Sequence, residues 1–237
     1  MTNIPPSRHW DFFVEIQMND QGAVGTAPSK LAAIGGHFDD ELSNVPLNRY
    51  QVLDICRSSV HHPWNKFITI MAWGAQDKAP NGKNKVLQMF IQKDKIIDKV
   101  NATISVKSRR EAFQIWSKDP VSNLWIAYFT KILFFICYPN HKVYILDKWT
   151  ANSTNLILGE KLIQYRHMHN HLFADESAII YEKFCDFIDA AAYKISNKNN
   201  EVTGLQVESA LFSKGGRISS KGEWRSYLID NIGDQLI

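Results

Sequence analysis

The sequence predicts a mainly α fold, and two observations carry that prediction. Apolar residues recur at helical spacing in one segment after another, and no run of alternating apolar and polar residues marks a strand. The elements follow in order. The opening stretch is polar and broken by Pro5, Pro6, Gly22 and Gly25, so residues 1–28 are expected to form an irregular N-terminal arm. From Leu47 to Trp73 the pattern turns helical. Tyr50, Leu53, Ile55 and Cys56 mark one segment, Phe67, Ile68, Met71 and Ala72 the next, and His61-His62-Pro63 punctuates them. Gly74 to Lys85 (GAQDKAPNGKNK) has the composition of a loop. Helices are expected from Val86 through Ile97 and from Arg109 to Trp116. Asp175 to Tyr193 reads as an amphipathic helix with Ile179, Ile180, Phe184, Phe187, Ile188 and Ala191 on its inner side. A further helix from Glu201 to Phe212 has Thr203 as its cap. Ser213 to Lys221 (SKGGRISSK) is a basic, glycine-containing loop, and Glu223 to Ile229 a last short helix.

Composition bounds the function classes. The 237 residues, 45% apolar and 22% charged, suffice for one substantial core, and a single domain over 1–237 is expected. A net charge of +3 permits a nucleic-acid partner without requiring one, because a small total can hide a one-sided basic face. Cys56, Cys137 and Cys185 lie far apart and form no CxxC pair, which argues against a disulfide framework, a zinc ribbon or an iron–sulfur cluster. Buried free thiols are expected, and no metal or other cofactor. The N-terminus lacks the apolar core of a signal peptide. The longest apolar run, Leu124 to Tyr138, is short for a bilayer span and carries Lys131. A cytoplasmic protein without membrane contact, acting as a monomer, is the expectation.

The chemistry concentrates between Ser122 and Asn155 (SNLWIAYFTKILFFICYPNHKVYILDKWTANSTN). The piece from Ala127 to Tyr138 is apolar almost all the way round, so it should be a buried helix. Lys131 is its exception: either its ammonium snorkels to water, or it sits in a cleft where desolvation favours a nucleophilic amine. A turn at Pro139-Asn140-His141 leads to the apolar Val143-Tyr144-Ile145-Leu146 and then to Asp147, at the start of another helix. Asp147 fits an N-cap; it also fits a catalytic carboxylate presented by an apolar segment. A helix, a turn and a short extended return could bring Lys131 and Asp147 to one cleft.

Trp125 to Asn152, with its FTKILFF and ILDKWTANS elements, resembles the active-site segment of bacterial proteins with an 8-oxoguanine DNA glycosylase fold. More loosely it is similar to the helix-hairpin-helix glycosylase superfamily. The resemblance implies a helical bundle with a cleft between two lobes, with Lys131 at the lysine position and Asp147 at the catalytic aspartate position. It implies double-stranded DNA containing a modified base as the partner. The target base is flipped out and its glycosidic bond broken, with Asp147 stabilising the sugar cation and Lys131 the candidate for a Schiff base and strand cleavage. The superfamily's hairpin carries a Gly-x-Gly turn; here the corresponding Asn123-Leu124-Trp125-Ile126-Ala127 has no glycine.

Two basic stretches are candidate DNA contacts, each equally readable as a solvated loop. Lys78, Asn81, Lys83, Asn84 and Lys85 follow the FITIMAWG element, and Lys214, Arg217 and Lys221 lie in the late loop. Trp149 is the candidate wall of a base pocket, while Trp73 and Trp224 read as core or cleft walls. His167, His169 and His171 alternate, but no completing ligand stands nearby unless Asp175 or Glu176 contributes, so no metal site is assigned. The base stays open between an oxidised purine, which would mean repair, and a bulky modified base such as the glucosylated hydroxymethylcytosine of phage DNA, which would mean antiviral defence. Two other classes stay open as well: a catalytically silent DNA-binding module of the same fold, and a helical protein-interaction domain.

Overall fold

A computed structural model describes residues 4–16, 25–75, 81–164, 175–196, 201–213 and 222–232. Among them are twelve α-helices and no strand, so the mainly α prediction holds. The chain forms two compact units. One comprises residues 21–143, the other residues 1–20 together with 144–237.

The 21–143 unit contains α2 (Pro28–Ile34), α3 (Arg49–Arg57), α4 (Pro63–Trp73), α5 (Gly82–Ile91), α6 (Lys93–Ile104), α7 (Arg109–Ser117) and α8 (Ile126–Cys137). Its helix starts follow local chemistry. Asn48 and Gln51 form a capping box at α3, and Ser108 caps α7. The His62-Pro63 pair divides α3 from α4 because His62 accepts from the Trp64 backbone N–H at 3.2 Å and Pro63 needs no N–H at N1. Every residue of α4 after Pro63 is buried, and the helix packs against α2, α3, α6 and α8. In α8, Phe129, Ile132, Leu133, Phe134 and Phe135 are all fully buried, as a helix apolar on every side requires.

The other unit contains α1 (Arg8–Glu15), α9 (Lys148–Leu158), α10 (Asp175–Ile195), α11 (Gly204–Phe212) and α12 (Glu223–Ile232). In α10 the buried set Ala178, Tyr181, Phe184, Cys185, Phe187, Ile188 and Ala191 follows the helical period. Phe12 stacks on Tyr227 with centroids 4.0 Å apart, and the Phe13 ring meets the edge of Trp224 at 4.9 Å, so α1 and α12, from opposite ends of the chain, share one aromatic core.

Several local expectations need correction. The lead-in read as an irregular arm contains α1, because Ser7 caps its N-terminus and Trp10 and Phe13 supply a buried stripe. The loop read over 74–85 ends early: Asn81 adopts φ 56° and α5 starts at Gly82, so Lys83, Asn84 and Lys85 occupy a helical first turn. The single helix expected from Val86 is two, broken at Gln92. The helix expected from Glu201 starts at Gly204, where Thr203 and Gln206 form a capping box. Ile179, placed on the inner face of α10, is exposed; Ala178 takes that face.

All three cysteines are free and buried, and burial pushes the Cys56 and Cys137 thiols up to about 12. Among the described residues no helix is long and apolar enough to cross a membrane.

Candidate active site

Asp147 ends the buried run Val143–Leu146 and is the N-cap of α9. Its extended backbone (φ −124°, ψ −177°) turns the carboxylate back over the first helical turn. There Oδ1 accepts from the backbone N–H of Trp149 at 2.8 Å and of Thr150 at 2.9 Å. The Asp147 N–H in turn donates to Thr150 Oγ1 at 2.9 Å, which closes a capping box. Among the described residues no hydrogen bond reaches Oδ2. Among the described residues the carboxylate is thus held by one oxygen, and the other has no hydrogen-bond partner. Asp147 is only 9% exposed and stands at the positive end of the α9 dipole. A fixed anion with one uncommitted oxygen can stabilise a cation developing beside it or accept a proton from a nucleophile.

Beside it stands a group that the sequence reading missed. Arg225 of α12 is fully buried, with Cζ 4.4 Å from the Trp149 ring centroid and 4.8 Å from that of Phe212. Burial holds the guanidinium below its usual value, and the Asp147 carboxylate acts in the opposite direction. Trp149 is half-buried. Arg225 stacks on its indole and Lys148 Nζ lies 5.9 Å from the same centroid, so the ring is a cation-bearing platform. Nothing local in the sequence marks Arg225, because an arginine in the short helix EWRSYL reads as solvated. Trp224 is core: its Nε1 donates to Ser153 Oγ at 2.8 Å.

Lys131 belongs to the 21–143 unit, in the second turn of α8. It is half-buried, donates from Nζ to the Ala127 carbonyl at 2.7 Å, and holds Nζ 5.3 Å from the Tyr128 ring centroid. Its stem lies against Gly74, the C-cap of α4. A Cβ at position 74 would meet Lys131 Cδ at 3.2 Å, so the glycine makes room for the lysine. Trp73, the last residue of α4, is buried against Phe135.

The connection between α7 and α8 contains the glycine-free stretch from Asn123 to Ala127. Asn123 adopts φ 68° there, the left-handed conformation that a glycine would otherwise supply. The Leu124 N–H donates to the Val121 carbonyl at 3.1 Å, and Trp125 then caps α8 with its side chain 45% exposed. Asparagine is the residue type best suited to this turn after glycine.

Asn81, Lys83 and Asn84 are exposed and Lys85 half-buried at the N-terminus of α5. Lys78, the late-loop residues Lys214, Arg217 and Lys221, and His167, His169 and His171 lie outside the described residues. Among the described residues no group of three or more histidine, cysteine, aspartate or glutamate side chains could hold a metal ion.

Residues 20–212, most of the chain, match the family described as "Putative 8-oxoguanine DNA glycosylase OGG-like protein". No curated protein and no solved structure matches the chain.

Proposed function

The chain belongs to the OGG-like 8-oxoguanine DNA glycosylase family, and from that premise we propose that it excises a modified base from double-stranded DNA with Asp147 as the catalytic carboxylate. The observation that supports the assignment is the state of Asp147: nearly buried, anchored through Oδ1 at a helix N-terminus, with no partner for Oδ2 among the described residues. Cleavage of the bond between base and sugar builds positive charge on the sugar ring. A preorganised carboxylate stabilises that charge without reorganising at the moment of reaction. The nucleotide must first leave the stack, because the bond is out of reach inside the duplex.

The incoming nucleophile is water or the Lys131 amine. Water adds to the sugar C1′ and loses a proton towards Asp147, leaving an intact abasic strand. Once deprotonated, the Lys131 amine adds to the same carbon as the base departs with the electrons of the glycosidic bond. The nitrogen then loses a proton, the ring opens with its oxygen taking up a proton, and the resulting Schiff base permits strand cleavage. Lys83, Asn84 and Lys85, projecting from the first turn of α5, support a phosphate-contacting role, since helix N-termini and lysines both favour anions. Lys78, Lys214, Arg217 and Lys221 are proposed for the same role on charge alone. Trp149 borders the base pocket by its place two residues after Asp147. The substrate is an oxidised purine, as the family's description implies, or a bulky modified base such as a glucosylated hydroxymethylcytosine; the second would make the protein antiviral.

The test is base release from a panel of duplexes carrying each modification, followed by alkali or by borohydride. Release from one duplex names the base. A protein–DNA adduct trapped by borohydride, and absent in Lys131→Gln, assigns the amine; a break needing alkali assigns water. Tight duplex binding with no release from any substrate would mean that the fold serves as a silent DNA-binding module.

A further inference from the structure

Asp147 is held by the backbone of α9, and a second element reaches the same place from α12. The Arg225 guanidinium lies between the rings of Trp149 and Phe212, its Nη2 donates to the Phe212 carbonyl, and its backbone N–H donates to Ser213 Oγ at 3.3 Å. Trp149 is the residue whose own backbone N–H binds Asp147 Oδ1. One guanidinium therefore joins the first turn of α9, the last residue of α11 and the first turn of α12. A buried arginine is costly unless planar partners and a countercharge offset its desolvation. Here two aromatic faces supply the first, and the Asp147 carboxylate, two residues before Trp149, acts on the guanidinium electrostatically.

We propose that Arg225 is a positioning residue for Asp147, stacking on Trp149 to hold the first turn of α9 rigid and keeping a positive charge beside the carboxylate. The proposal rests on the reading of Asp147 as catalytic and assigns Arg225 no contact with substrate. It concerns a part of this chain beyond the family match, which ends at residue 212. Lysine cannot replace this arginine in function, because an ammonium offers a point charge without a planar face to lie along the indole.

The experiment compares Arg225→Lys and Arg225→Gln, each alone and combined with Asp147→Asn. Urea unfolding of the set forms a double-mutant cycle that needs no enzymatic activity. Arg225 and Asp147 share Trp149 as a neighbour, residues with a shared partner couple, and a coupling of about tenfold in the unfolding constant is expected. If Arg225→Gln fails to fold, the cycle is built with Arg225→Lys. Additive effects overturn the proposal. Single-turnover base release at saturating duplex is the second readout. Arg225→Lys should lose about tenfold to hundredfold in rate, the scale of a displaced catalytic group, with duplex affinity unchanged. A rate equal to the wild type's overturns the positioning role. Absence of release in the wild type counts against the glycosylase reading alone, since the cycle still decides the link between Arg225 and Asp147.

Discussion

Asp147 performs two tasks that substitution can separate. As an N-cap it satisfies the N–H groups of Trp149 and Thr150; as a carboxylate it carries the charge proposed for catalysis. Asparagine caps about as well as aspartate, whereas alanine cannot, and removing a cap costs about 1 kcal/mol. Asp147→Ala should therefore unfold at lower urea concentration than Asp147→Asn, by about that amount. Equal stabilities would mean that the cap contributes nothing and that the carboxylate's placement needs another cause. Asp147 is legible in the sequence for a physical reason: a polar residue between an apolar run and a helix-forming segment has few other places to go. Arg225 is not, because its partners, Trp149 and Phe212, come from distant segments whose convergence no local pattern encodes.

At the scale of elements, helices with a strong apolar period and a cap are readable nearly to the residue. The sequence predicts α8 from Ala127 to Tyr138, and it runs Ile126–Cys137; Thr203 reads as a cap and is one. The differences fall where glycine and asparagine do more than break a helix. Asn81-Gly82 opens α5 instead of prolonging the loop, since asparagine tolerates the left-handed turn that precedes the helix. Asn123 shows the same property at the hairpin. Its left-handed conformation predicts that Asn123→Ala costs about 1 kcal/mol, while Asn123→Gly changes stability little, because relief of strain and added chain entropy nearly cancel. Thermal melts of the two variants check this. An alanine variant as stable as the wild type would show that the turn relaxes to an unstrained backbone.

Over the whole molecule, the mainly α class is legible because helical periodicity repeats from end to end. The pairing of residues 1–20 with 144–237 is not, since contacts such as Phe13 with Trp224 join opposite ends of the chain. Net charge is equally uninformative: a total of +3 cannot by itself hold a duplex, so affinity must come from local groups. Removing one lysine that neutralises a phosphate lowers the slope of log affinity against log salt by about 0.9. Replacing Lys83 and Lys85 together by glutamine should thus reduce that slope by up to about 2, leaving the rate of the bound complex alone. An unchanged slope would remove the N-terminus of α5 from the DNA interface.

Asp147 is proposed to supply the charge that breaks the glycosidic bond. The most direct measurement is single-turnover base release by Asp147→Asn beside the wild type, on the duplex that the wild type cleaves, with duplex affinity measured in parallel. Base release should be abolished while affinity and cooperative unfolding persist, because asparagine keeps the cap and removes only the charge. Release by the asparagine variant at a rate near the wild type's would contradict it.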